Sequence, residues 1–155
     1  MENYKLNSQR NPNTNQIINN NRRNLMYSEE QLNLARVAAF IDGEGCIRLS
    51  KRTYISKSGE KHEYFYPNLT IGMKSKRTIE TIYRLIGEIG EVYEHKGVHI
   101  WNVHNEDVEK VLKAVYPFLI TKKEQAKTIL EYFKENANHE ALYWKSRFEK
   151  AISYK

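Results

Sequence analysis

The sequence contains one cysteine, Cys46, in 155 residues. A single thiol closes no intrachain disulfide and builds no cysteine-based zinc site. The expected compartment is therefore reducing and intracellular. Long apolar runs are absent too. No stretch approaches the roughly 20 residues that span a bilayer, and the first residues lack the apolar core of a secretory signal. Neither a membrane partner nor secretion is expected. Acidic residues are the minority charge, 19 Asp and Glu against 25 Lys and Arg, which leaves a net charge of +6. That balance favours polyanions: DNA, RNA or an anionic surface. The five histidines (His62, His95, His99, His104, His139) show no zinc-ligand spacing, which points to surface or packing roles.

Residues 1–26 are crowded with asparagine, nine in all, and nearly free of large apolar groups. Such a segment buries too little surface to offset its chain entropy and reads as a disordered tail. A transit peptide, an intron-encoded extension and a plain linker all fit it. From 27 to 155 the pattern is that of one domain.

Ser28 with Gln31 fits a capping box. The helix it opens is apolar on most sides through Leu32, Leu34, Ala35, Val37, Ala38, Ala39, Phe40 and Ile41. It is expected to stop at Gly43-Glu44-Gly45, where glycine takes backbone angles that other residues avoid. Alternation follows. Ile47 and Leu49 oppose Arg48, Ser50 and Arg52; after a turn at Ser56 to Gly59, Phe65, Leu69, Ile71 and Met73 oppose Tyr64, Tyr66, Asn68 and Thr70. This predicts a long β-hairpin with one apolar and one polar-basic face. A helix capped by Ser75, a second hairpin turning at Lys96-Gly97, a helix capped by Asn105 and two further helices complete the chain. The expected fold is α+β, αββαββα plus C-terminal helices, with four antiparallel strands and helices on one face.

The chemistry concentrates at Ala35 to Ile47, ARVAAFIDGEGCI. A helix lined with small residues ends in an acidic pair, Asp42 and Glu44, and a strand starts at once. A carboxylate at that junction faces whatever lies against the sheet. Hard oxygen donors of this kind suit Mg²⁺. Ala35, Ala38 and Ala39 are small enough to let two such helices approach closely.

VAAFIDGEG, Val37 to Gly45, resembles the signature motif of the LAGLIDADG homing endonucleases, and the αββαββα order over about residues 28 to 136 is similar to that family's fold. The resemblance implies a saddle-shaped sheet and a homodimer, since the motif occurs once. It implies Glu44 as the catalytic, metal-binding acid, where aspartate is more usual, and Gly43 as a carbonyl donor to the metal. Asp42 becomes a stabiliser of the helix end. Ala35, Ala38, Ala39 and Asp42 fall at the dimer interface. Pro117-Phe118-Leu119 precedes Lys122, which takes the position of the family's basic residue at the phosphate. Met73 stands where a glutamine is common, with Lys74 beside it, a departure that touches the water network. Arg77 is a further basic candidate near the phosphate. The implied cofactor is Mg²⁺, with Mn²⁺ or Ca²⁺ able to substitute for binding. The implied gene is intron-encoded, organellar (mitochondrion or chloroplast) or bacterial.

Between Cys46 and Arg77 there are eight basic residues and only Glu60 and Glu63 to oppose them, a local charge of +6. A two-stranded ribbon fits the major groove of DNA. Arg48, Ser50, Arg52, Tyr54, Tyr64, Tyr66, Asn68 and Thr70 are the expected contacts, joined by Lys74, Arg77, Tyr93, His95 and Asn102. The function so implied is metal-dependent double-strand cleavage of long pseudo-palindromic sites. The alternative is a non-cleaving nucleic-acid binder on the same fold, an intron RNA maturase or a DNA-binding regulator, with host intron RNA as its partner.

Overall fold

A computed structural model describes residues 27–135 and 141–153. The asparagine-rich stretch 1–26 and the expected start of the last helix at 139 lie outside these. Among the described residues, five helices and four strands follow the predicted order: α1 (Glu29–Glu44), β1 (Gly45–Ile55), β2 (Lys61–Met73), α2 (Lys76–Leu85), β3 (Glu91–His95), β4 (Val98–His104), α3 (Glu106–Val115), α4 (Lys123–Glu135) and α5 (Ala141–Ser153), with a 3₁₀ turn at Tyr116–Phe118 before α4. No helix among the described residues is long and apolar enough to cross a membrane.

The expected capping box forms: Ser28 Oγ accepts from the Gln31 N–H at 3.1 Å, and Gln31 Oε1 accepts from the Ser28 N–H at 2.9 Å. The end of α1 differs from expectation. Gly45 has ordinary extended angles, φ −76° and ψ 151°. Glycine is required there for space, because a Cβ would sit 2.6 Å from the Ile41 carbonyl oxygen. Asn105 differs too. It precedes α3 at φ +51° and makes no side-chain capping bond.

The sheet is antiparallel and open, in the order β1-β2-β4-β3. Gly45 pairs with Ile71 at one end of the first hairpin and Ile55 with Lys61 at the other. Pairing of β2 with β4 begins only at Asn68, opposite His104. Pro67, without an N–H, lies one residue outside that pairing, where its missing donor breaks no bond to β4. Beyond Pro67 the sheet narrows from four strands to a two-stranded ribbon.

The core lies between the helices and one sheet face. Val37, Ala38 and Ile41 of α1 meet Ile47, Leu69, Ile71, Trp101 and Val103 of the sheet, with Ile79, Ile82, Val108, Val111, Leu112, Val115, Ala126 and Ile129 from the other helices. At about 25 cal/mol per Å² of apolar area removed from water, each such side chain contributes about 1.5–3 kcal/mol before chain entropy is counted. Among the described residues no helix covers the opposite sheet face. The ribbon from 51 to 64 is exposed on both faces.

Candidate nucleic-acid interface and acidic centre

At the C-terminal end of α1, backbone carbonyls run out of intrahelical donors and the helix dipole is negative. Two carboxylates here, with no basic residue in the last turn, are electrostatically unfavourable without a cation. Asp42 resolves its part within the chain. Its Oδ2 accepts from the Ile120 N–H at 2.7 Å and its Oδ1 from the Lys122 N–H at 2.9 Å. The Lys122 ammonium donates back to the Asp42 carbonyl, placing a positive charge at the negative helix end. This clamp joins α1 to the loop ahead of α4.

Glu44 is the last residue of α1 and is exposed. No hydrogen bond or ion pair among the described residues engages its carboxylate. Gly43 is exposed as well, with nothing within 4 Å of where a Cβ would be. Glu44 and the Gly43 carbonyl are therefore open oxygen donors at one helix end. Among the described residues no three acidic, histidine or cysteine side chains cluster to hold a metal. One chain offers one uncommitted carboxylate and a backbone carbonyl here, hard oxygen donors that fit Mg²⁺ once waters, phosphate oxygens or a further carboxylate complete the set.

Of the small residues expected at an interface between copies, Ala39 is exposed and Ala35 half-buried. Ala38 is fully buried in the chain's own core, and both Asp42 oxygens are spent inside the chain. Ala38 therefore lies off any surface presented to a partner, while Asp42 is half-buried with its carboxylate engaged within the chain. The exposed stripe of α1 runs instead through Leu32, Arg36, Ala39 and Gly43, at helical spacing.

Arg48, Ser50, Arg52 and Tyr54 alternate onto the uncovered sheet face opposite Tyr64, Tyr66, Asn68 and Thr70, as predicted. The basic charge is less one-sided than its total suggests. Lys51 and Lys61 lie on the helix-side face of the ribbon, paired with Glu63 at 2.6 and 3.1 Å, and these two lysines hold the Glu63 carboxyl below its ordinary range. The uncovered face keeps Arg48 and Arg52. Arg52 stacks over the Tyr66 ring, 4.4 Å from its centroid. Bonding to Tyr66, then Tyr64, raises its pKa further. A row of rings continues from there: Tyr64 is 6.4 Å from Tyr66 and 6.1 Å from Tyr54, which stacks on His62 at 4.9 Å. His62 thus joins this row, a placement that its strand parity alone could have indicated. Lys74 and Arg77 are exposed where β2 passes into α2; Tyr93 and His95 are exposed on β3.

Asn68 and Asn102 need correction as free base contacts. Both are over nine-tenths buried. The Asn68 amide donates to Asn102 Oδ1 at 2.8 Å and to the Val103 carbonyl at 3.2 Å, and it lies 3.0 Å from His104 Nδ1. Thr70 Oγ1 lies within 3.0 Å of the side-chain oxygens of both asparagines. The Asn102 amide donates to Glu91 Oε1 at 3.2 Å. Buried amides persist only when bonded, and cross-strand register supplies the partners: Asn68 opposite His104, Thr70 opposite Asn102, Asn102 opposite Glu91. Glu91 and His104 were not anticipated on this face.

No protein-family model matches the sequence, and no curated protein matches it. Solved structures do. The chain is similar to the homing endonuclease I-CvuI in complex with its target in the presence of Ca, with TM-score 0.66, 21% identity, 81% of this chain and 83% of that one. It is similar to the archaeal intron-encoded homing endonuclease I-Vdi141I complexed with DNA, with TM-score 0.59, 23% identity, 79% of this chain and 81% of that one. It is also similar to the LAGLIDADG homing endonuclease I-GzeII in complex with its DNA target, with TM-score 0.55 and 17% identity, over 77% of this chain but 42% of that one.

Proposed function

From the fold of the LAGLIDADG homing endonucleases, which this chain has, we propose a site-specific DNA endonuclease that acts as a homodimer and needs a divalent metal. The observation that carries this is the uncommitted Glu44 carboxylate at the exposed foot of α1, where the uncovered sheet face begins. Two chains joined along their α1 stripes would bring two such carboxylates together. Twofold symmetry would then match a pseudo-palindromic site and address both strands. The 42% coverage of the longer I-GzeII chain leaves room in it for a second unit of this size.

Glu44 and the Gly43 carbonyl would hold the metal, Mg²⁺ by the hardness of the donors. Bound there, it would supply Lewis acidity and a coordinated water more acidic than bulk water. The chain's own residues do the rest. Asp42 fixes the loop that carries Lys122. Lys122 brings a cation to the same helix end, where it can stabilise charge developing on a phosphate. Arg48, Arg52 and the tyrosine row orient the duplex, and a ribbon of about ten residues per strand, roughly 33 Å, reaches along the groove.

The test is selection of cleaved sites from a randomised pseudo-palindromic library with purified protein and Mg²⁺. Double-strand cuts are expected. Glu44→Gln should lower cleavage by about 10²–10⁴-fold, the range for one group that handles a reacting proton or water, with binding retained. Binding without cutting in both Mg²⁺ and Mn²⁺ would assign the chain to the non-cleaving binders instead.

A further inference from the structure

Along the uncovered sheet face one row of residues runs Cys46, Thr70, Asn102, Glu91, from β1 to β3. Glu91 is the only acid at the positions of this face in the four strands. Among the described residues no lysine or arginine pairs with it, and the one ionisable base beside it is His104. Oε1 meets the Asn102 amide and His104 Nε2, each at 3.2 Å. No described partner engages Oε2, and the side chain is 59% exposed. The group opens into a cleft of about 660 Å³, lined also by Gly90, Asn102, His104, Glu106 and Asp107. Glu106 and Asp107 are accounted for locally: both stand in the first turn of α3, where a helix favours acids, and Asp107 pairs with Lys110 at 2.7 Å. Glu91 stands at no helix start and has no lysine or arginine partner among the described residues; its neighbour is His104.

A carboxylate facing DNA is repelled by phosphate and lowers affinity for every sequence. It is worth retaining where it accepts a hydrogen bond that only some bases offer. In the major groove the cytosine N4 amino group is such a donor, and acidic side chains accept from it. The network behind Glu91 fits this use. Asn68 and Asn102, both buried, hold each other, and Asn102 holds Oε1, so Oε2 is pre-organised and loses little freedom on binding. Resting on the reading of this face as the DNA-binding surface, we infer that Glu91 is a specificity-determining residue that reads cytosine. Its row lies two residues along β1 from Glu44. The cytosine therefore belongs to the base pairs near the cut, inside those reached by Tyr54 and Tyr64.

The experiment is a binding selection without cleavage, in Ca²⁺, from a randomised duplex pool, with wild type and Glu91→Gln. The substitution keeps shape and the Asn102 contact. Wild type should select a C·G pair at one position in the inner, cut-proximal part of each half-site. It should prefer that pair by about 5- to 150-fold, the range of about 1–3 kcal/mol for one good base contact. Glu91→Gln should lose that preference, or move it to adenine, which glutamine reads, with every other position unchanged. An equal rise in affinity for all sequences would show a carboxylate that only repels, and an unchanged base profile would show one that only packs; either result overturns the inference. Cleavage is not read, so failure of Glu44-dependent cutting leaves this outcome independent.

Discussion

Asp42 lies 78 and 80 residues from the two backbone N–H groups that its carboxylate accepts. Hydrogen bonds to a charged group are worth about 1.5–3 kcal/mol, and water reaching these exposed and part-buried bonds lowers that somewhat. Asparagine has one oxygen for two donors, and its amide would face an N–H. Asp42→Asn should therefore lower stability by about 1–3 kcal/mol, read as a drop of several degrees in Tm. It should slow cleavage further than unfolding explains, because the loop carrying Lys122 loses its anchor. Single-turnover cutting at a temperature where both proteins are folded checks this; wild-type rates in the variant would rule out the clamp. Much of this was legible at the level of residue type. The acids, the glycines and Lys122 stand in a recognisable local pattern, and a stabilising role for Asp42 at the helix end was expected. Its partners were not visible, because nothing local ties position 42 to 120. The same holds for Asn68 and Asn102. Alternation put them on the uncovered face correctly, but only the register between β2 and β4 shows that they satisfy each other.

At the scale of elements, periodicity and capping residues located every described helix and both hairpins within a few positions. Apolar spacing is a local property, and these elements bury what it marks. What failed was the reason for Gly45: a glycine at a helix end suggests a left-handed residue, whereas here it avoids the Ile41 carbonyl. Gly90 shows both needs at once, with φ +91° and the Asn102 carbonyl 2.6 Å from a would-be Cβ. The ribbon beyond Pro67 invites a different prediction. Its residues from 51 to 64 are all exposed but Ser56, so its ladder is backed by little apolar contact. Amides there should exchange much faster than those of β4 in free protein, since local stability follows buried contacts. Specific DNA should slow them markedly. Exchange as slow as in β4 before DNA is added would contradict a ribbon that stands apart from the core.

At the scale of the molecule, the open question is the second copy, and Gly43 offers a clean discriminator. Among the described residues nothing lies within 4 Å of a Cβ at that position, and alanine in a helix is favoured over glycine by about 1 kcal/mol. Gly43→Ala should therefore leave a single chain as stable or slightly more so. If α1 packs against its twin along Leu32, Ala39 and Gly43, the added methyl should weaken self-association at least severalfold, measured by sedimentation over a concentration series. A wild-type protein that is monomeric at micromolar concentration, free and on DNA, would remove the dimer altogether. The division of labour in the sheet has a consequence for how such a protein changes over generations. The groups that would touch outer bases sit on an arm that contributes little to the core, whereas the acids sit at a helix foot locked to a distant loop. Substitutions on the arm are cheap in folding and those at the foot are not. Under the proposed function, target preference could drift while the cutting centre stays fixed, so a lineage of these chains could follow a wandering host sequence without being rebuilt.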